Sequence, residues 1–177
     1  MESGIVYVDG MDIQGVTEAG LKKIEVKYPG DTSDIEKNGG SIAGIIVTLS
    51  EFFIEMASEK LKKALDLAKN KSAYIVIETE NVKNASLLEK LADEWRECIR
   101  SSQVKIYIEN GYTNENGRFY HNDYSDGPRL IQLVDKLNLL VAADSFGICI
   151  NVGHANLLGI NVRDMVRVCG KKTGIVH

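Results

Sequence analysis

With 177 residues, 44% of them hydrophobic and 26% charged, the chain can bury one substantial core, and residues 1–177 are expected to form a single globular domain. A formal net charge of −4, with no basic block beyond Lys60-Leu61-Lys62-Lys63, excludes a broad nucleic-acid surface. Cys98, Cys149 and Cys169 are odd in number and widely spaced among apolar residues, which excludes a disulfide framework and suggests no cysteine zinc site. A reducing cytoplasm is the expected setting. Met1-Glu2-Ser3-Gly4 does not begin an export signal, and no apolar stretch approaches the ~20 residues of a membrane span, so no membrane association is expected.

In chain order, the first apolar, β-branched run is Gly4–Val8, followed by a connection, Asp9–Leu21, with three glycines and little periodicity. A strand is expected at Lys23–Tyr28. The next connection, Pro29–Ser41, closes on Asn38-Gly39-Gly40 and is expected to be short or irregular like the first. After a strand at Ile42–Leu49, Ser58 can cap a helix whose Leu61, Ala64, Leu65 and Ala68 follow 3.6-residue spacing, with the lysines on its solvated face. A strand at Ala73–Thr79 precedes a second helix, in which Ser86 and Glu89 can form a capping box ahead of Leu91, Trp95, Cys98 and Ile99.

The strand Val104–Glu109 leads to a helix that starts near Asp126, has Pro128 in its first turn and buries Leu130, Leu133, Val134 and Leu137. The strand Phe146–Val152 leads to a last helix that starts at Asn161, turns Val162, Met165, Val166 and Cys169 inward, and stops at Gly170. Thr173–His177 is the seventh strand candidate. Most of these runs are apolar without strict alternation, as in strands covered on both faces. Strands alternating with helices imply a parallel sheet with right-handed crossovers.

In such sheets the chemistry gathers at the C-terminal ends of the strands. Three successive strand ends carry acid–base or metal-capable groups: Glu109-Asn110, Asn151 with His154, and His177. The three residues from Asn151 to His154 let a strand end and the following turn aim two polar groups at one point. Glu109 at such an end is expected to face a solvated mouth, where its removal would cost little stability.

Lys23-Ile24-Glu25-Val26, Ile106-Tyr107-Ile108-Glu109-Asn110, Ile148-Cys149-Ile150-Asn151-Val152-Gly153-His154-Ala155 and Gly174-Ile175-Val176-His177 together resemble the xylose-isomerase-like TIM barrels. This family comprises sugar isomerases and epimerases together with apurinic endonucleases. The stretch Ile150–Ala155 is the most specific, because the family commonly reads Asp-x-Gly-His-Ala there.

The resemblance implies an α/β fold, a parallel (β/α) barrel. It also implies a metal-dependent isomerase or epimerase of a small sugar or sugar phosphate, working by proton transfer through an enediolate. Glu109 is then the catalytic carboxylate and a metal ligand, together with Asn151 and His177, and the ion is Mn²⁺, Mg²⁺, Co²⁺ or Zn²⁺. His154 binds substrate, and Glu115, six residues beyond Glu109, reaches a substrate hydroxyl. Asn110 and Arg118 are further candidates for the mouth.

Two features depart from the family pattern. Asn151, a neutral carbonyl donor, stands where the family has a ligating Asp, and the sequence stops at His177, before the usual eighth strand. About seven strands, with the last one missing, cannot close a barrel of ~250 residues. Truncation is one expectation, and completion by a further chain segment or a second copy of the chain is the other. A degenerate barrel that binds a ligand or partner without turning it over is the competing functional expectation. A third, an apurinic endonuclease relative, conflicts with an acidic chain that has only three histidines.

Overall fold

The computed structural model describes residues 4–6, 11–30, 32–49, 54–80, 82 and 86–177. Seven parallel strands form one sheet in the order β1 (Gly4–Val6), β2 (Lys23–Tyr28), β3 (Ser41–Thr48), β4 (Tyr74–Glu78), β5 (Ile106–Glu109), β8 (Phe146–Ile150) and β9 (Thr173–Val176). A separate antiparallel hairpin, β6 (Thr113–Glu115) and β7 (Arg118–Tyr120), rises from the loop after β5. The crossovers carry α1 (Ile13–Glu18), α2 (Ser33–Lys37), α3 (Ile54–Lys71), α4 (Ser86–Glu94), α5 (Arg96–Ser102), α6 (Gly127–Val141), α7 (Val152–Leu157) and α8 (Val162–Cys169). Among the described residues, the two connections expected to be irregular hold only the short helices α1 and α2.

The sheet curls strongly. Strands β2 and β9 lie five positions apart, which in a flat sheet would separate them by about 24 Å. The side chains of Glu25 on β2 and His177 just past β9 nevertheless meet at 2.9 Å. Alternate residues of each strand therefore face two different environments. Toward the helices point Ile24, Ile45, Ile75, Ile106 and Ile148, all with no exposed surface, and this face merges with the helices into the main core. Burying each such side chain contributes roughly 1.5–3 kcal/mol.

The inner face is smaller and mixed. Ile46, Val76 and Cys149 form its buried apolar centre, flanked by Val6, Tyr74, Tyr107 and Ile175. The two tyrosine rings meet edge to face, with centroids 5.6 Å apart. Glycines on neighbouring strands make room for them, since a Cβ on Gly44 would overlap the Tyr74 ring and one on Gly147 or Gly174 would crowd Tyr107.

Several local expectations are corrected. Helix α3 begins at Ile54, four residues before Ser58, so Ser58 is not its cap. It is a buried mid-helix residue whose hydroxyl donates to Glu94 (2.6 Å) and accepts from Trp95 Nε1 (2.7 Å). The helix expected from Ser86 through Ile99 breaks at Trp95 into α4 and α5. That break turns Cys98 outward, and it is exposed. Val166 is also exposed, because α8 packs on α6 and α7 and buries only a narrow stripe, Met165 and Cys169. Asp126 and Asn161 cap α6 and α8 where expected, by accepting from the backbone amides of Arg129 and Asp164. Tyr7 and Val8 of the first strand expectation lie outside the described residues. No helix among the described residues is long and apolar enough to cross a membrane.

Candidate active site

The alternation that sends Ile106 and Ile108 toward the helices sends Tyr107 and Glu109 inward. Glu109 pairs in register with Cys149 on the neighbouring strand, so the two side chains stand together at the C-terminal end of the curled sheet. The Glu109 side chain is 2% exposed. This corrects the expectation of a solvated carboxylate. Its Oε1 accepts from His177 Nδ1 (2.9 Å) and from Asn151 Nδ2 (3.3 Å), and the Cys149 thiol approaches it at 3.9 Å. Its Oε2 is buried without a hydrogen-bond partner, 3.6 Å from His154 Nδ1.

Two asparagines lock the ends of β5 and β8 together. Asn110 is fully buried; its Oδ1 accepts from the Asn151 amide (2.6 Å) and its Nδ2 donates to the Asn151 carbonyl (3.1 Å). The chain turns directly into α7 at Val152, where the sequence suggested that the strand would run on. Asn151 caps that helix, its Oδ1 accepting from the His154 amide at 3.1 Å. The cap fixes the side-chain orientation: the oxygen serves the helix, and the amide N–H faces Glu109.

His154, in the first turns of α7, is held from three sides. Its Nδ1 lies 2.8 Å from the Asn110 carbonyl, which can only accept, so Nδ1 carries a proton. Its Nε2 lies 3.0 Å from Glu80, just beyond β4, and the Tyr112 ring stands edge-on against the imidazole with centroids 4.9 Å apart. Burial and the neighbouring Glu80 carboxylate raise the Tyr112 phenol above its ordinary range.

His177 bridges two carboxylates. Nδ1 meets Glu109, and Nε2 lies 2.9 Å from Glu25 Oε2, close enough for an ion pair but off the line of a hydrogen bond. The Tyr74 hydroxyl donates to the other Glu25 oxygen. Interactions with Cys149, then with Glu109 and Glu25, hold the imidazole well above its ordinary pKa against the opposing effect of burial. For Glu25, burial works to raise the pKa, but His177 and Tyr74 prevail and lower it. Burial pushes the Cys149 thiol up to about 11, so it is protonated near neutrality.

Of the residues singled out from the sequence, Glu109, Asn151, His154 and His177 meet at one place, and Asn110 braces them. Glu115 and Arg118 do not join them: they face one another across the β6–β7 hairpin, both exposed. Sequence reasoning missed Cys149, Glu25, Glu80 and Tyr112 as members of the site. Cys149 and Glu25 had a readable signal. Cys149 lies two residues before Asn151, on the same face of its strand, and Glu25 is a carboxylate inside an otherwise apolar strand.

Donor atoms of Glu109, Cys149 and His177 all lie within 4.8 Å of one another. A carboxylate, a thiol and an imidazole this close, with one carboxylate oxygen buried and unsatisfied, form a set that fits a divalent ion.

No family model matches the sequence, and no curated protein matches it. The fold has close counterparts among solved structures. The apo 3-keto-D-glucoside 4-epimerase of E. coli superposes with a TM-score of 0.71 at 11% identity, over all of this chain and 78% of that one. The probable 3-DHS dehydratase of Bacillus anthracis, involved in petrobactin synthesis, gives 0.69 at 13%, over all of this chain and 72% of that one. The D-psicose 3-epimerase of Clostridium cellulolyticum H10, solved with D-tagatose, gives 0.69 at 14% with the same coverages. The curled seven-stranded sheet is thus an incomplete parallel (β/α) barrel with the fold of these TIM-barrel sugar epimerases and dehydratase, as the resemblance to the xylose-isomerase-like barrels implied.

Proposed function

We propose that this protein is a metal-dependent isomerase or epimerase of a small sugar or sugar phosphate, with Glu109 as the proton-transferring carboxylate. The observation that carries this reading is the buried Oε2 of Glu109, which has no hydrogen-bond partner and sits at the barrel mouth among two imidazoles and two further carboxylates. A buried carboxylate oxygen left without a donor costs about 1–3 kcal/mol or more, a cost expected of a group kept for chemistry.

Glu109 Oε2 is the free base. It takes the proton from the carbon beside a sugar carbonyl, leaving an enediolate, and returns it on the same face to the neighbouring carbon; epimerisation would need a second acid on the opposite face. Asn110 and Asn151 hold the carboxylate's strand end in place, and His154, held by Asn110 through Nδ1, would donate from Nε2 to a substrate oxygen that takes the place of Glu80. Glu109 and His177 would hold the divalent ion, which when bound supplies Lewis-acid polarisation of the carbonyl. The structural neighbours that act on keto sugars support this substrate class.

Proton exchange tests it directly. Ketohexoses, ketopentoses and their phosphates are incubated with the protein and Mn²⁺, Co²⁺ or Zn²⁺ in D2O, and deuterium entering at the carbon beside the carbonyl is followed by NMR. Exchange that Glu109→Gln reduces on the order of 100-fold or more is expected. A metal-loaded, folded protein that exchanges no proton on any of these sugars would instead indicate a barrel that binds a ligand without turning it over.

A further inference from the structure

We propose that Cys149 is a thiolate ligand of the ion held by Glu109 and His177, so that the site selects Zn²⁺ or Co²⁺ over Mn²⁺ and Mg²⁺. The inference rests on the metal-dependent reading above and assigns the ligand that makes the site selective.

Four observations carry it. First, Cys149 and Glu109 are register partners on adjacent strands, and the sulfur stands 3.9 Å from Glu109 Oε1. Tetrahedral zinc with metal–sulfur and metal–oxygen bonds of about 2.3 and 2.0 Å holds those two donors about 3.5 Å apart, so a few tenths of an ångström of adjustment suffices. Second, the oxygen of Asn151 is committed to the cap of α7 and its amide hydrogens face the site, so this side chain offers no oxygen toward Glu109. Third, His177 Nδ1 faces Glu109 Oε1 at 2.9 Å while Nε2 lies beside Glu25, itself held by Tyr74, so an ion on the Glu109 side would take the place of the Nδ1 proton and leave the Nε2 proton next to a carboxylate. Fourth, donor atoms of Glu109, Cys149 and His177 all lie within 4.8 Å of one another, close enough to share one ion.

A thiolate, an imidazole and one carboxylate are the donors that borderline ions prefer, whereas Mg²⁺ and Mn²⁺ favour oxygen-rich shells. Ligation breaks the S–H bond of Cys149 and the Nδ1–H bond of His177 and forms one bond from each atom to the metal; both protons pass to buffer, and neither metal nor sulfur changes oxidation state.

The test is optical and needs no substrate. Co²⁺ is titrated into the full chain carrying Cys98→Ser, which removes the exposed thiol. A thiolate-to-Co²⁺ charge-transfer band in the near ultraviolet is expected, displaced by Zn²⁺ and unaffected by a large excess of Mg²⁺ or Mn²⁺. Adding Cys169→Ser should leave the band intact. Adding Cys149→Ser should abolish it and weaken Zn²⁺ binding by more than the 10–100-fold typical of losing a group that only orients a ligand. If Cys149→Ser does not fold, the Cys98→Ser/Cys169→Ser protein decides alone, because Cys149 is then its single thiol. Co²⁺ binding without the band, or competition by Mn²⁺ on equal terms, would overturn the thiolate ligand and leave the metal-dependent reading standing. Failure of every ion to bind would overturn both.

Discussion

The two faces of one sheet show how little sequence separates a stabilising surface from a chemical one. On β5, Ile106 and Ile108 join the large core beneath the helices, while Tyr107 and Glu109, one residue out of phase, line the inner face. On β8 the same phase difference separates Ile148 and Ile150 from Cys149. The outer face gains from apolar area alone, and any well-fitting aliphatic residue would serve. The inner face carries Glu25, Glu109 and His177 through paired charges, and tolerates one unsatisfied oxygen on Glu109. Polarity next to a closed apolar core is affordable only where such groups hold one another.

This contrast can be broken by four measurements, taken from the largest expected effect to the smallest. Ile148→Ala on the outer face should cost about 2–5 kcal/mol in urea unfolding, as for other fully buried aliphatic truncations. A cost below about 1 kcal/mol would mean that this face is loosely packed. Glu109→Gln on the inner face should cost about 1.5–3 kcal/mol in the metal-free protein, the range for a charge-assisted hydrogen bond such as that from His177. A rise in stability would show that repulsion among the carboxylates outweighs the pairing. Gly44→Ala should cost about 1–3 kcal/mol by overpacking, because the new methyl group overlaps the Tyr74 ring, which its bond to Glu25 holds in place. The structure also predicts that the near-ultraviolet tyrosine dichroism changes in this variant, and an unchanged signal would refute the overlap.

The smallest effect is a pH slope. An imidazole whose pKa rises on folding, as for His177, lends its stability in full below the unfolded value of 6.5 and loses it as pH climbs toward the folded value. A carboxylate whose pKa falls on folding, as for Glu25, lends stability above the unfolded value of 4.5 and loses it as pH drops toward the folded value. Both contributions are present in full only between 4.5 and 6.5, so these two groups should make the metal-free protein less stable at pH 8 than at pH 6. In His177→Gln that decline should be shallower, and an identical slope in both proteins would separate His177 from the carboxylates.

Most strands were legible because each is a short β-branched run bounded by turn residues, and β2 matches its expected span residue for residue. The helix starts at Asp126 and Asn161 were legible because a cap is a local event between a side chain and an amide three residues on. The errors arose where distant packing overrides local pattern. Ser58 looks like a cap from its neighbours, yet Glu94 and Trp95, more than thirty residues away, hold it inside a longer helix.

The candidate site divides in the same way. The sequence alone determined that polar groups close three apolar strands and that alternation puts every second residue on one face, because both follow from the two-residue period of a strand. Only the tertiary structure decided that His177 reaches back to Glu25, since that contact depends on the curl accumulated over five strand spacings. Only the register of β5 on β8 set Cys149 beside Glu109, and only the start of α7 turned the Asn151 oxygen away from it, because register and helix direction are fixed by packing between elements that the local sequence does not see.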